Sequence, residues 1–80
     1  MAKMSSKEIE ARVCRIIREC GDLKVVTPWQ NLQTELGFDS LETVEAVAQI
    51  EQEFGIAIPD EAFHTFVTVE NVIDYIESVL

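Results

Sequence analysis

Eighty residues with a formal charge of −9, from 6 basic and 15 acidic side chains, make one small acidic domain spanning residues 1–80. That length leaves little room for an enclosed enzyme cleft, while an apolar content of 48% argues for a folded chain rather than a disordered one. All six cations (Lys3, Lys7, Arg12, Arg15, Arg18, Lys24) lie in the first 24 positions; from Val25 to Leu80 there are eleven acids and no Lys or Arg. A surface of that sign repels nucleic acid phosphates and anionic lipid, and attracts basic protein patches. No apolar run approaches membrane-spanning length, and the opening Met-Ala-Lys-Met-Ser-Ser lacks the apolar stretch of a secretory signal. A cytoplasmic monomer without membrane insertion is expected.

Ser5-x-x-Glu8 has the form of a capping box, with residues 1–5 expected to be unordered. Ile9, Val13, Ile16, Ile17 and Cys20 then recur at helical spacing, and Gly21 is a suitable terminator. Cys20 falls on the apolar stripe and is the expected core thiol; Cys14 lies nearer its edge. Six positions apart on one helix, the two point to different sides and do not suit a disulfide. A single histidine leaves no zinc set, so no metal site is expected.

Residues 22–36 form a long connection. Within it, Thr27-Pro28-Trp29-Gln30 has the order of a cap, a proline at the first helical position, and a glutamine three after the cap. A short helical turn there would point Leu32 and Leu36 the same way, with Trp29 packed over the bundle end. The second helix starts near Asp39 or Ser40 and ends before Gly55. Leu41, Val44, Val47, Ala48, Ile50 and Phe54 supply a broad apolar face, and Glu42, Glu45, Gln49, Glu51, Gln52 and Glu53 cover most of the rest. Ile56-Ala57-Ile58-Pro59 is extended, because the residue before proline avoids the helical region. Pro59-Asp60-Glu61 opens a short third helix carrying Phe63 and Phe66. Thr68 caps the last helix, with an inner face of Val69, Val72, Ile73, Ile76 and Val79. The expected fold is all-α: a small up-and-down four-helix bundle with one short third helix and a long first connection.

Ser40 stands behind a glycine turn and beside an acid, with no lysine or histidine near it in sequence to make it a nucleophile. It is therefore a helix cap or an attachment point. Asp39-x-x-Glu42 is itself a plausible capping box, which would free the Ser40 hydroxyl to face solvent. A phosphodiester on Ser40 would sit at the positive end of the helix, where backbone N–H groups favour an anion.

Gly37-Phe38-Asp39-Ser40-Leu41 followed by Glu42-Thr43-Val44-Glu45 resembles the modification motif of acyl carrier proteins. Glu51-Gln52-Glu53-Phe54-Gly55, Ile58-Pro59-Asp60-Glu61 and the ending Thr68-Val69 through Ile73-Asp74-Tyr75-Ile76 extend the resemblance over roughly residues 6–80. It implies that Ser40 carries 4′-phosphopantetheine, delivered from coenzyme A by a separate phosphopantetheinyl transferase. The terminal thiol of that arm would hold acyl groups as thioesters, and the protein itself would catalyse nothing. It further implies docking through the second helix, by Asp39, Glu42, Glu45, Ala48, Glu51 and Gln52, onto basic patches of acyltransferases, ketosynthases and other acyl-handling enzymes. Ala46, Ile50, Phe63 and Phe66 become the candidates for an acyl pocket. Ala48 and Ala46 are small where a larger apolar residue is common, Gln52 stands where an acid is frequent, and Phe63, His64 and Phe66 make the third helix unusually aromatic.

These departures keep two carrier readings open. One is a carrier for fatty acid biosynthesis or related acyl transfer; the other is a specialised polyketide, aminoacyl or D-alanyl carrier. A third reading, from another class, is an unmodified acidic helical adaptor in which Ser40 only caps. An enzyme is disfavoured, because no nucleophile–base pair, metal set or phosphate loop occurs in the sequence.

Overall fold

A computed structural model describes residues 4–80. Four helices follow in chain order: α1 (Ser6–Cys20), α2 (Ser40–Phe54), α3 (Asp60–Phe63) and α4 (Val69–Val79), and no strand forms among the described residues. The expectation of an unordered start covers residues 1–5, of which 1–3 lie outside the described residues. Met4 packs against the core, and the Ser5 side chain accepts the Glu8 N–H at 3.2 Å. Only that half of the expected capping box is made: the Glu8 carboxylate turns instead to Arg12, at 2.8 Å.

α1 packs against both α2 and α4. Ile9, Val13, Ile16 and Ile17 of α1 meet Ala46 and Ile50 of α2 and Val69, Val72, Ile73 and Ile76 of α4 in one buried cluster. Burial of this apolar surface, rather than any polar network, drives the fold; no polar or charged residue is buried among the described residues. The thiols exchange the places expected from the stripe. Cys14 is buried and Cys20 only half-buried, because α1 is covered on two sides, by α2 and α4, and Cys14 lies within that wider contact.

The long connection is turn rather than helix. Gln30 does reach back, its Oε1 accepting the Thr27 N–H at 2.8 Å, but the Thr27 hydroxyl is buried without a partner and caps nothing. Asn31 organises the next turn, its Oδ1 accepting the N–H groups of Gln33 and Thr34, each at 2.9 Å. The connection is fastened to the start of α4 by Leu32 N–H donating to Val67 O, Val69 N–H to Gln30 O and Glu70 N–H to Pro28 O. Leu32 is thereby buried and Leu36 half-buried against the core. Trp29 does not pack over the bundle end: it is 72% exposed, since the pairing on either side holds its backbone at the rim.

Gly21 follows α1, but not for its conformational freedom. Its φ is −92°, and the left-handed residue is Asp22 (φ 52°). A Cβ at Gly21 would meet Phe38 Cε1 at 2.6 Å, so glycine is there to admit the Phe38 ring. Phe38 is buried, its N–H donating to Leu32 O at 2.8 Å, and the chain turns through Gly37 at φ +75°. This plug fixes the backbone immediately ahead of α2.

Candidate functional site at the start of α2

Ser40 is the first residue of α2, and its side chain is exposed. Asp39 is the cap: its Oδ1 accepts the Glu42 N–H at 2.8 Å, and Glu42 Oε1 accepts the Asp39 N–H at 3.4 Å. Thr43 donates both its N–H and its hydroxyl to the Asp39 carbonyl, at 3.0 and 2.8 Å. Among the described residues, the Ser40 hydroxyl and the backbone N–H groups of Ser40 and Leu41 have no protein partner. They stand at the positive end of a 15-residue helix, where an anion on the Ser40 oxygen is favoured. Asp39 and Glu42 oppose that anion by like charge but have already committed an oxygen each to the cap.

Ser40 borders a cleft of about 130 Å³ that is also lined by Leu32, Gln33, Thr43, Phe63, His64 and Phe66. Its aromatic wall continues into a chain of ring contacts, two edge-on and one tilted. Phe63 meets His64 at 5.8 Å and Phe66 at 6.5 Å between ring centroids, and Phe66 meets Tyr75 of α4 at 5.9 Å. A second groove of about 220 Å³, between α2 and α3, is lined by Val44, Val47, Ala48, Glu51, Ile58, Asp60 and Phe63. Phe63 and Phe66 therefore lie beside Ser40. Ala46 and Ile50 do not: both are buried against α1 and border neither opening.

Leu41, Val44 and Ala48 face outward, contrary to the single broad apolar face drawn from the sequence; Leu41 is 65% exposed. The inner side of α2 is Ala46, Val47 and Ile50. The spacing 41, 44, 48 is itself helical, so α2 carries two apolar stripes, and only one meets the core. Val79 of α4, also assigned to the core, is exposed where the last helix runs out beyond its neighbours.

The acids of α2 divide in the same way. Asp39 and Glu45 are exposed and Glu42 half-buried. Glu51 is half-buried and occupied, its carboxylate accepting the Ile58 N–H at 2.6 Å and so tying the end of α2 to the extended segment. Gln52 is exposed and borders a different groove, between α1 and α2, with Arg15, Ile16, Glu19, Gln49 and Glu53. There Glu53 accepts from Arg12 at 2.9 Å and from Arg15 at 3.1 Å.

Neither cysteine is poised to react. Burial pushes the Cys14 thiol up, helped by Glu10 and opposed by Arg18. Burial also raises Cys20, followed by the charges of Glu45, Glu19 and Glu42. Among the described residues, no group of three or more His, Cys, Asp or Glu side chains could hold a metal ion, and no helix is long and apolar enough to cross a membrane.

An accessible serine at a helix start, an anion-favouring backbone and a shallow surface cleft suit covalent attachment of an anionic group. The family model described as a phosphopantetheine attachment site matches residues 7–76, and the chain belongs to that family. The solved structure of a "putative acyl carrier protein" from Mycobacterium tuberculosis superposes with a TM-score of 0.85 at 27% identity, covering 90% of this chain and 99% of that one. The protein is thus a helical carrier of the acyl-carrier type, with a site for covalent 4′-phosphopantetheine; carriers of this family work with phosphopantetheinyl transferases and acyl-handling enzymes.

Proposed function

We propose that Ser40 is the attachment residue and that the protein carries acyl thioesters for fatty acid biosynthesis or a related acyl-transfer route. The observation that carries this reading is the division of labour between neighbours. Asp39 makes the cap, leaving the Ser40 hydroxyl exposed and without a partner. In the loading step, carried out by a transferase, Ser40 Oγ forms a bond to the phosphorus next to pantetheine in coenzyme A. The pyrophosphate P–O bond breaks, adenosine 3′,5′-bisphosphate leaves with the electron pair, and the hydroxyl proton passes to a base of the transferase.

Docking falls to the outer side of α2. Leu41, Val44 and Ala48 give it an apolar stripe beside the carboxylates of Asp39, Glu42 and Glu45. A basic partner would be steered by the acids and held by the apolar stripe. Glu51 adds a further charge toward the end of α2; one of its oxygens accepts the Ile58 N–H, as those of Asp39 and Glu42 accept N–H groups in the cap. The test is incubation with coenzyme A and a phosphopantetheinyl transferase, followed by intact mass and fragment sequencing. A gain of one phosphopantetheine on the fragment containing Ser40 supports the reading; a gain elsewhere, or none, overturns it.

A further inference from the structure

From Val25 to Leu80 the chain holds no Lys or Arg and a single histidine, so His64 is the one side chain there that can become a cation near neutral pH. It follows α3 directly and borders the same cleft as Ser40. We propose that His64 is the counter-ion of the phosphodiester on Ser40, so that loading joins the end of α3 to the head of α2. The inference rests on the attachment reading at Ser40.

The head of α2 both helps and opposes an anion. Unpaired N–H groups favour it, whereas the carboxylates of Asp39 and Glu42 repel it. A cation in the cleft offsets that repulsion and gives a charge-assisted hydrogen bond. His64 alone among the lining residues can supply one, since Leu32, Gln33, Thr43, Phe63 and Phe66 carry no charge. The ring is available: His64 is exposed, and its side chain makes no hydrogen bond among the described residues. The edge contact with Phe63, at 5.8 Å between centroids, steadies it beside the cleft. Nothing else ties α3 to the attachment point. The helix buries no residue, and its backbone hydrogen bonds run among residues 59–66 without reaching Ser40. The charged groups flanking each wall of the cleft are carboxylates: Glu35 in the connection, Asp39 and Glu42 on α2, Asp60 and Glu61 on α3, and Glu70 on α4. None can partner an anion, and carboxylates as a class titrate at lower pH than an imidazole.

The experiment loads the full-length, tag-free protein with pantetheine through a transferase and follows its phosphorus-31 resonance from about pH 7.5 to about pH 5.5, where an imidazole gains its proton. A phosphodiester keeps its single charge over that range, so a moving resonance reports a neighbour. In the parent protein the resonance shifts by more than its linewidth as the pH falls, because the ion pair forms at the acid end and is lost at the alkaline end. In His64→Gln it stays at the parent's alkaline position throughout. In His64→Lys, whose charge is fixed, it is displaced toward the parent's acid position and no longer responds to pH. Circular dichroism of both variants checks that the helices remain. A parent resonance unmoved by pH would overturn the proposal, as would a shift of the same size in His64→Gln. Failure of the reading beneath it looks different: no phosphodiester resonance or mass gain is seen at all, or one survives Ser40→Ala.

Discussion

α1 and α2 are equally long helices that face each other, yet they are built to different ends. α1 spends its apolar residues on a single stripe and buries nearly all of it, and its arginines at 12 and 15 are tied down by Glu8 and Glu53. α2 divides its apolar residues between an inner stripe that packs and an outer one that meets water, among carboxylates with no cation of their own helix to pair with. Folding explains α1 completely. It explains only half of α2, and the unexplained half begins at Ser40. Exposed apolar residues arranged at helical spacing, beside a serine whose capping duty has been taken by its neighbour, are the observation on which the proposed docking side of α2 rests.

That contrast can be broken at graded points. The largest effect is expected in α1: Ile17→Ala removes a sealed core side chain and should cost about 2–5 kcal/mol in denaturant unfolding. Next comes Gly21→Ala, whose Cβ would collide with the Phe38 ring at 2.6 Å; a loss of about 1–3 kcal/mol is expected from the forced repacking. Equal stability for this variant would show that Phe38 moves freely and does not brace the start of α2. Smaller on the stability scale are changes to the outer side of α2. Val44→Ala should stay within about 0.5 kcal/mol while slowing acyl transfer with a partner enzyme, the reverse of Ile17→Ala. Glu45→Lys should slow association with a basic partner, and added salt should slow the parent protein in the same way. A transfer rate indifferent to both would remove α2 from docking.

Much of this was legible in the sequence, and the failures share a cause. Helix boundaries followed from local signals: the caps at Ser5, Asp39 and Thr68, glycine after α2, and proline before α3. Which face of a helix is buried is not a local property, and there periodicity misled. Periodicity merges Leu41, Val44 and Ala48 with the packed residues into one broad apolar face, although the resemblance already sets Ala48 among the docking residues and the sequence holds two interleaved stripes, 41, 44, 48 and 46, 47, 50. Cys14 and Cys20 exchanged places because α1 has neighbours on two sides, which its own pattern cannot reveal. Gly21 ends α1 as its position suggests, but the need for glycine there comes from a ring 17 positions later in the chain rather than from a left-handed turn. The Ser40 cleft draws Gln33, Thr43 and Phe66 from three separate segments, a gathering aided by backbone pairing between residues 28–32 and 67–70 that no spacing encodes. The exposed position of Ser40 is legible because its causes are local: a cap, a glycine turn and a helix start.

The central claim is that neighbouring residues divide two jobs, Asp39 holding the helix and Ser40 holding the arm. It is tested most directly by comparing Ser40→Ala with Asp39→Ala for stability in denaturant and for mass after incubation with coenzyme A and a transferase. The account predicts that Ser40→Ala keeps its stability within about 0.5 kcal/mol and gains no phosphopantetheine, whereas Asp39→Ala loses about 1 kcal/mol and can still be modified. A phosphopantetheine adduct on Ser40→Ala, or a stability loss there as large as that of Asp39→Ala, would contradict it.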